Sequence, residues 1–133
     1  LARQAGVRVP LPRAVMNNVL VMEFIGNDNQ PALRLKDAWP EKPQEFFDTV
    51  IKSMKKLYQA KLVHTDLSHF NILNHNEEPV FIDLSQATTL ENPNAKEYLE
   101  RDVKNICDFF KKNKLEIDEK DVMKQITGNR LKK

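Results

Sequence analysis

The sequence predicts an α+β fold that is mainly α-helical and carries short β-hairpins. Two observations predict it: long segments whose apolar residues recur at helical spacing, and short apolar runs that are joined by polar, turn-forming residues. At 133 residues the chain has the length of one domain or of part of a larger one. No internal repeat or low-complexity segment interrupts this pattern.

Two apolar runs near the start predict a β-hairpin. Residues 14–16 and 19–25 flank Asn17 and Asn18, and asparagine tolerates the positive φ that tight hairpin turns require. The next stretch, residues 26–43, contains three prolines. It is therefore predicted to be an irregular loop with at most a short helical turn.

Three helices are predicted in the rest of the chain, over residues 43–60, about 94–112, and 118–128. Their apolar residues recur at helical spacing and are expected to pack in the core. In chain order they are Phe46, Phe47, Val50, Ile51, Met54, Leu57 and Tyr58, then Tyr98, Leu99, Val103, Ile106 and Phe110, then Val122, Met123 and Ile126.

Residues at the helix ends support these boundaries. Asn94, with Glu97 three residues later, resembles a capping box at the start of the second helix. Asp118 is the expected N-cap of the third helix, and Gly128 is expected to end it.

Composition excludes several classes of protein. Hydrophobic residues make up 41% of the chain and charged residues 30%, which is typical of a globular protein. The net charge of +2 is too small to indicate nucleic-acid or membrane binding by itself. Because Cys107 is the single cysteine, no internal disulfide can form. Three glycines are too few for a glycine-rich phosphate loop, and no apolar run reaches the length of a membrane span.

The polar residues that point to chemistry lie between the first two helices. Residues 72–73 and 80–82 are predicted to be short strands joined by a polar turn at residues 74–78. Asn71 precedes the first strand and Asp83 follows the second, so the two are expected to face each other at the open end of a hairpin. An amide oxygen and a carboxylate are ligands suited to Mg²⁺.

Asp66 lies five residues before Asn71, in the loop that leads to the same corner. A carboxylate there can accept a proton from a hydroxyl that attacks a metal-bound phosphoryl group. An aspartate, four residues and an asparagine, with His64 two residues before the aspartate and Asp83 further on, is the pattern of kinase catalytic loops.

Structural roles are the alternative for these residues. Asp66 and Asp83 could cap turns or helices, and Asn71 could be a turn residue. His64 is expected to be structural rather than catalytic. The three histidines of the chain do not follow a metal-ligand spacing, so no metal site is expected from them.

The same segment resembles the RIO atypical protein kinases. Two runs carry the resemblance, residues 62–73 and residues 80–87. Ser85-Gln86 stands where ordinary kinases have Phe-Gly, and this form resembles the first RIO subfamily. Residues 19–26 resemble the last N-lobe strand and the hinge of that family, and the resemblance extends over about residues 6–128.

The resemblance implies a role for each matching position. Asp66 would be the catalytic aspartate, and Asn71 and Asp83 would hold the metal that accompanies ATP, Mg²⁺ or alternatively Mn²⁺. The adenine site would consist of Met22 as gatekeeper, the Glu23 carbonyl, the Ile25 amide, and the apolar side chains of Leu73 and Ile82.

Two positions of the catalytic loop depart from the family pattern. Thr65 replaces a smaller residue, and His69 stands where the family commonly has an acidic one. Neither is a base or a metal ligand, so the departures concern the substrate more than the activity.

The resemblance also implies a domain organisation. Residues 1–26 would be the end of the N-lobe, with a hairpin and the hinge, and residues 27–133 a protein-kinase-like C-lobe of RIO type. In that family the phosphate-covering loop, the ATP-anchoring lysine and the αC glutamate precede the hinge. The chain is therefore expected to be part of a longer protein, and to bind ATP weakly and lack kinase activity by itself.

The intact protein would be an ATP-dependent serine/threonine protein kinase or ATPase. The family implies that it acts in the cytoplasm on the precursor of the small ribosomal subunit, with protein and RNA as partners and no membrane.

Two alternatives remain. Small-molecule phosphotransferases of the aminoglycoside or choline kinase type share the catalytic-loop pattern, but residues 83–86 argue against them. A non-catalytic, kinase-like module that binds ribosomal precursors would not need all three of Asp66, Asn71 and Asp83. ATP turnover by the intact protein distinguishes the second alternative from a kinase.

Overall fold

The structure, a computed structural model, describes Val7 and residues 12–16, 19–22, 26–27, 30–84 and 87–128. These residues form three helices and small antiparallel sheets, which confirms the predicted α+β fold. The elements are β1 (Pro12–Met16), β2 (Val19–Met22), β3 (Gly26–Asn27), β4 (Gln30–Pro31), β5 (Leu33–Arg34), α1 (Pro43–Gln59), β6 (Leu62–Val63), β7 (Ile72–His75), β8 (Glu78–Phe81), β9 (Thr88–Thr89), α2 (Ala95–Lys112) and α3 (Glu119–Thr127). No helix of the described ranges is long and apolar enough to span a membrane.

Both predicted hairpins are present. β1 and β2 pair antiparallel, and the asparagines predicted to join them lie outside the described residues. β7 and β8 pair with Ile72 opposite Phe81, and β5 pairs with the other edge of β7. Asn76 and Glu77 have φ values of 55° and 69°, as a type I′ two-residue turn requires. The turn is thus shorter, and the strands longer, than the sequence predicted.

The described part of residues 26–43 has more regular structure than the sequence predicted, since it contains β3, β4 and β5. The pairing of β6 with β9 was not predicted either. Each of these strands has two residues, which is too short for any period in hydrophobicity to show. Their pairing is set by contacts with distant segments: Leu33 lies opposite Asn74 and Leu62 lies opposite Thr89.

The helices begin and end within about a residue of the predicted bounds. The Asp118 side chain accepts a hydrogen bond from the Lys120 N–H at 3.0 Å, and Gly128 adopts a left-handed φ of 75°, as predicted for the ends of α3. The capping box at Asn94 was wrong, because this side chain makes no capping bond. Its backbone N–H instead donates to the Asn92 side chain at 2.8 Å, which closes a turn before α2.

The core lies between the apolar faces of the three helices and one face of the β7–β8 hairpin. Phe110 of α2 is fully buried at its centre. Its ring centroid lies 5.1 Å from that of Phe47, 6.5 Å from that of Phe46 and 5.5 Å from that of Trp39. Aromatic pairs at these separations add to the stabilisation from buried area.

The tip of the β7–β8 hairpin is tied to the segment before α1. The Glu77 carboxylate accepts hydrogen bonds from the N–H groups of Glu41 and Lys42, at 3.0 and 3.2 Å. The bond from Glu41 is the main reason that the pKa of Glu77 is lowered. Asn74 adds a bond from its Nδ2 to the Ala38 carbonyl at 3.0 Å. These contacts fix the hairpin against the helical core.

Replacement of Phe110 by alanine should lower the free energy of unfolding by about 3–5 kcal/mol, because it leaves a cavity between α1 and α2. The measurement is urea denaturation followed by circular dichroism. Glu100→Ala, an exposed change on the same helix, is the control and should shift the value by less than about 0.5 kcal/mol. Equal effects of the two variants would contradict the placement of Phe110 in the core.

Candidate active site

In the loop between β6 and β7, Asp66 is an exposed residue that lies between buried residues. His64 and Thr65 are buried, Asp66 is exposed, and Leu67 is fully buried. The buried residues anchor the backbone of the loop, and the Asp66 side chain is exposed to solvent.

His64 connects this loop to the end of β8. Its Nε2 donates to the Ile82 carbonyl at 2.8 Å, and its Nδ1 accepts from the Asp66 N–H at 3.2 Å. One donor and one acceptor are the needs of a neutral imidazole that carries its proton on Nε2. His64 therefore has the structural role that was predicted for it.

Helix α2 holds the same loop from the other side. The Asp102 carboxylate accepts hydrogen bonds from the N–H groups of Thr65 at 2.9 Å and Leu67 at 3.0 Å. Arg101 donates to the Thr65 carbonyl, and Asn105 donates to the Leu67 carbonyl at 3.3 Å. The backbone on both sides of Asp66 is thus bound by three residues of one helix.

The carboxylate of Asp102 is buried, with 1% of the residue exposed. Burial is the largest influence on it and raises its pKa from 3.8 to about 6, although the bonds from Leu67 and Thr65 act in the opposite direction. At neutral pH the carboxylate is charged, and its two backbone donors replace the water that it has lost.

Two residues of the site have left-handed backbone conformations. Thr65 has a φ of 79° and Asp83 a φ of 63°. Aspartate tolerates this region, but for a β-branched residue it is strained. The Thr65 N–H donates to Asp102, and the Thr65 carbonyl accepts from Arg101, so both backbone groups of Thr65 are held in the strained conformation.

Asn71 lies beside the residue that precedes Asp83. The Asn71 carbonyl accepts from the Ile82 N–H at 3.0 Å, one step beyond the Ile72–Phe81 pair of the hairpin. The Asn71 side chain donates from Nδ2 to the Asp66 carbonyl at 2.7 Å. Asp66, Asn71 and Asp83 are therefore brought together at the open end of the hairpin.

The donor set at this corner fits a hard divalent cation. Because Asn71 uses Nδ2 in its bond to Asp66, its Oδ1 is the atom that would coordinate, and the exposed Asp83 supplies a carboxylate. Nowhere in the described ranges do three His, Cys, Asp or Glu residues form a group that could hold a metal ion. One amide and one carboxylate are not such a group, so the predicted pair stays a prediction.

The residues predicted to contact adenine are described in part. Leu73 and Ile82 are half-buried, and both lie on the side of the hairpin that carries Val80, opposite the core-facing Ile72 and Phe81. Val80 is fully buried and yet does not belong to the hydrophobic core cluster. The hairpin thus has a second apolar face.

Three more of these residues come from the start of the chain. Met22 ends β2, and Glu23 and Ile25 lie outside the described residues. Their predicted contacts with adenine stay predictions.

Sequence reasoning missed Asp102, Arg101 and Asn105. The signal was present for Asp102, because a carboxylate three residues after Leu99 and beside Val103 falls within the apolar stripe of α2. Charged residues are rarely fully buried unless they are paired. For Arg101 and Asn105 the helical pattern gives no such signal.

Comparisons with known proteins show which family the chain is similar to. The family model for the RIO domain matches residues 1–123. The RIO-type serine/threonine-protein kinase Rio1 of Haloferax volcanii is 44% identical over 128 residues, which are 96% of this chain and 44% of that protein. The protein of the same name from Methanocaldococcus jannaschii is 43% identical over 126 residues, 94% of this chain and 43% of that protein.

A eukaryotic relative is also similar. Human serine/threonine-protein kinase RIO1 is 39% identical over 122 residues, which are 88% of this chain and 22% of that protein. The chain thus spans less than half the length of these three relatives.

Asparagine in place of Asp102 should remove a pH-dependent loss of stability. The folded protein retains a proton up to a pH of about 6 that the unfolded chain releases near 3.8, so the contribution of Asp102 to the free energy of unfolding falls as the pH rises through this window. Asparagine does not ionise, so the free energy of unfolding of the Asp102→Asn variant lacks this dependence on pH. The difference in free energy of unfolding, wild type minus variant, should therefore fall by about 3 kcal/mol across this pH window. Urea denaturation from pH 4 to pH 7 measures the difference, and a constant or rising difference would contradict the burial of this charge.

Proposed function

Because the chain belongs to the RIO family of protein kinases, we propose that it carries the catalytic and metal-binding loops of an ATP-dependent serine/threonine protein kinase or ATPase. The observation that carries the proposal is the corner where Asn71 bonds both to the loop of Asp66 and to the strand end before Asp83. The activity is proposed for the intact protein, since the chain covers 44% of its Haloferax relative.

Asp66 is proposed as the catalytic base. Its backbone N–H is bound by His64 and its carbonyl by Asn71, so the exposed carboxylate projects from a fixed backbone. A carboxylate in this position accepts the proton of an attacking hydroxyl, from a serine or threonine side chain or from water. Fixed orientation is what such a group contributes most, because phosphoryl transfer depends on positioning.

Asn71 Oδ1 and the Asp83 carboxylate are proposed to hold Mg²⁺, with Mn²⁺ as the alternative. When bound, the cation supplies neutralisation of the charge on the phosphate oxygens of ATP. The left-handed backbone of Asp83 turns the chain at the end of β8, and the bond from the Ile82 N–H to Asn71 keeps the two ligands on neighbouring strand ends.

The second apolar face of the hairpin is proposed as the floor of the adenine site. Leu73 and Ile82 lie on that face and are half-buried, as residues with one side open to a ligand would be. Met22, the Glu23 carbonyl and the Ile25 amide are proposed to complete the site at the hinge, by resemblance to the family.

We also propose that the intact protein acts in the cytoplasm in maturation of the small ribosomal subunit. The support is the family resemblance, and the net charge of +2 is compatible with contact to RNA without demanding it.

Asp66→Asn and Asp83→Asn should each reduce ATP turnover of the intact protein by orders of magnitude, since one removes the proton acceptor and the other a metal ligand. Both changes keep size and shape, and asparagine tolerates the φ of residue 83. Asp48→Asn on the exposed face of α1 is the matched control, because an asparagine there can still accept the bond from Gln44. Phosphate release in the presence of Mg-ATP is the measurement.

The outcome for Asp83→Asn decides the metal assignment. Turnover near that of the control, with a circular dichroism spectrum unchanged from wild type, would exclude Asp83 as a ligand. A requirement for more Mg²⁺ to reach half-maximal turnover is the expected intermediate effect.

Nucleotide state should change the affinity of the intact protein for small-subunit precursors. We expect co-sedimentation with purified precursor particles to differ between Mg-ATP, Mg-ADP and no nucleotide, and Asp83→Asn to abolish the difference. Equal binding in all three conditions would count against a nucleotide-controlled role in ribosome maturation.

A further inference from the structure

A row of aromatic rings lies next to the catalytic loop. It consists of Trp39, His69, Phe70 and Phe109, and we call it the aromatic shelf. The His69 ring stacks on Phe109 with centroids 4.3 Å apart and planes at 10°, and it contacts Phe70 at 4.4 Å and 35°. Trp39 contacts Phe109 at 5.8 Å. The shelf is open to solvent, because Trp39 is 41% and Phe70 45% exposed.

Two lysines give the shelf a positive charge. Lys36 Nζ lies over the Phe70 ring, 5.6 Å from its centroid, and the Lys36 N–H donates to the His69 carbonyl at 3.0 Å. Lys112 follows Phe109 by three residues in α2 and therefore lies on the same side of that helix. Asp37 is the nearby opposite charge, 3.8 Å from Lys36, and both side chains are about half exposed, so this pair is weak.

The His69 ring belongs to the apolar surface of the shelf, because it lies between the rings of Phe70 and Phe109. Within the described ranges nothing offers its buried Nδ1 a hydrogen-bond partner. The shelf is an aromatic surface with two lysines at its border.

We propose that the aromatic shelf, together with Lys36 and Lys112, docks an acidic segment of the polypeptide substrate that also carries an apolar side chain. This inference rests on the proposed kinase function. Phe70 lies four residues after Asp66 and directly before Asn71 in one loop. The Phe70 N–H donates to Ser68 Oγ at 3.1 Å, and the adjoining Asn71 binds the Asp66 carbonyl at 2.7 Å, so one tight turn joins Phe70 to Asp66. A polypeptide whose hydroxyl group lies at Asp66 therefore has flanking residues within reach of the shelf.

The geometry favours a polypeptide over single-stranded RNA. A base needs an open ring face on which to stack. The Phe70 ring is already contacted by the His69 imidazole and by the Lys36 ammonium, and the His69 ring is stacked on Phe109. Less ring face is left for a base, whereas carboxylates can bind the lysines and an aliphatic side chain can cover the exposed ring atoms.

Fluorescence anisotropy with a labelled peptide tests the proposal. The peptide contains glutamates and leucines around an alanine in place of the phosphorylated residue, so that binding is measured without turnover. The double variant Lys36→Glu with Lys112→Glu should bind it about tenfold more weakly than wild type, and the difference should shrink at high salt. The double variant Lys52→Glu with Lys56→Glu is the control, because it makes the same charge change at exposed positions of α1.

Phe70→Ala separates the apolar contribution from the charges, and we expect it to weaken the peptide severalfold. Unchanged circular dichroism spectra of the variants show that the fold is kept. The proposal would be overturned if the Lys36→Glu, Lys112→Glu variant, which we call the shelf variant, bound the peptide as tightly as the α1 control. It would also be overturned if the shelf variant lost binding to oligouridylate but still bound the peptide as tightly as the control.

Failure of the docking proposal and failure of the proposed activity can be distinguished. If Asp66→Asn leaves turnover unchanged while the shelf variant still loses the peptide, the catalytic assignment fails and the docking surface stands. If Asp66→Asn lowers turnover while the shelf variant binds the peptide as tightly as the control, the catalytic assignment stands and the docking surface fails.

Discussion

The contact between Asp102 and the backbone of the loop that carries Asp66 is the interaction on which the candidate site depends. One buried carboxylate accepts the N–H groups of Thr65 and Leu67, and these are the residues on either side of Asp66. The burial of Thr65 and Leu67 takes their backbone N–H groups out of water, so these groups need polar partners in the protein. The charge that provides the anchors is unfavourable in the core until the loop has docked, which makes helix and loop dependent on each other.

Hydrogen bonds also connect the loop that carries Asp66 to the proposed metal ligands. His64 and Asn71 each connect the backbone of Asp66 to Ile82, the residue before Asp83. The loop, the hairpin and α2 are therefore linked by polar contacts as well as by the core. A cation held at Asn71 and Asp83 would bind to residues whose backbone is already held in place. The conformational entropy lost on binding would therefore be small.

Much of the fold was predictable because it follows local rules. The three helices have strong apolar periodicity, and Asp118 and Gly128 are residue types that end helices, so both boundaries of α3 were predicted correctly. The proximity of Asp66, Asn71 and Asp83 was predicted from the hairpin and from the spacing of these residues.

The features that the sequence did not predict depend on contacts between distant segments. Two-residue strands become strands only through their partners. The turn before α2 is closed by the Asn92 side chain, which donates to Thr88 Oγ1 and accepts from the Asn94 N–H. The role of Asp102 belongs to the same class, because its partners lie 35 and 37 residues away.

The left-handed conformation of Thr65 has a consequence for the order of folding. A β-branched residue resists this conformation by about 1–3 kcal/mol, and the contacts that hold it come from residues 36 and 37 positions later. Loop closure of that length precedes any gain from these bonds. We therefore expect the segment around Asp66 to be among the last to reach its native shape, after α1 and the hairpin have already joined. During synthesis, a nascent chain whose α2 has not yet emerged would contain the whole loop, but the loop would lack its native conformation.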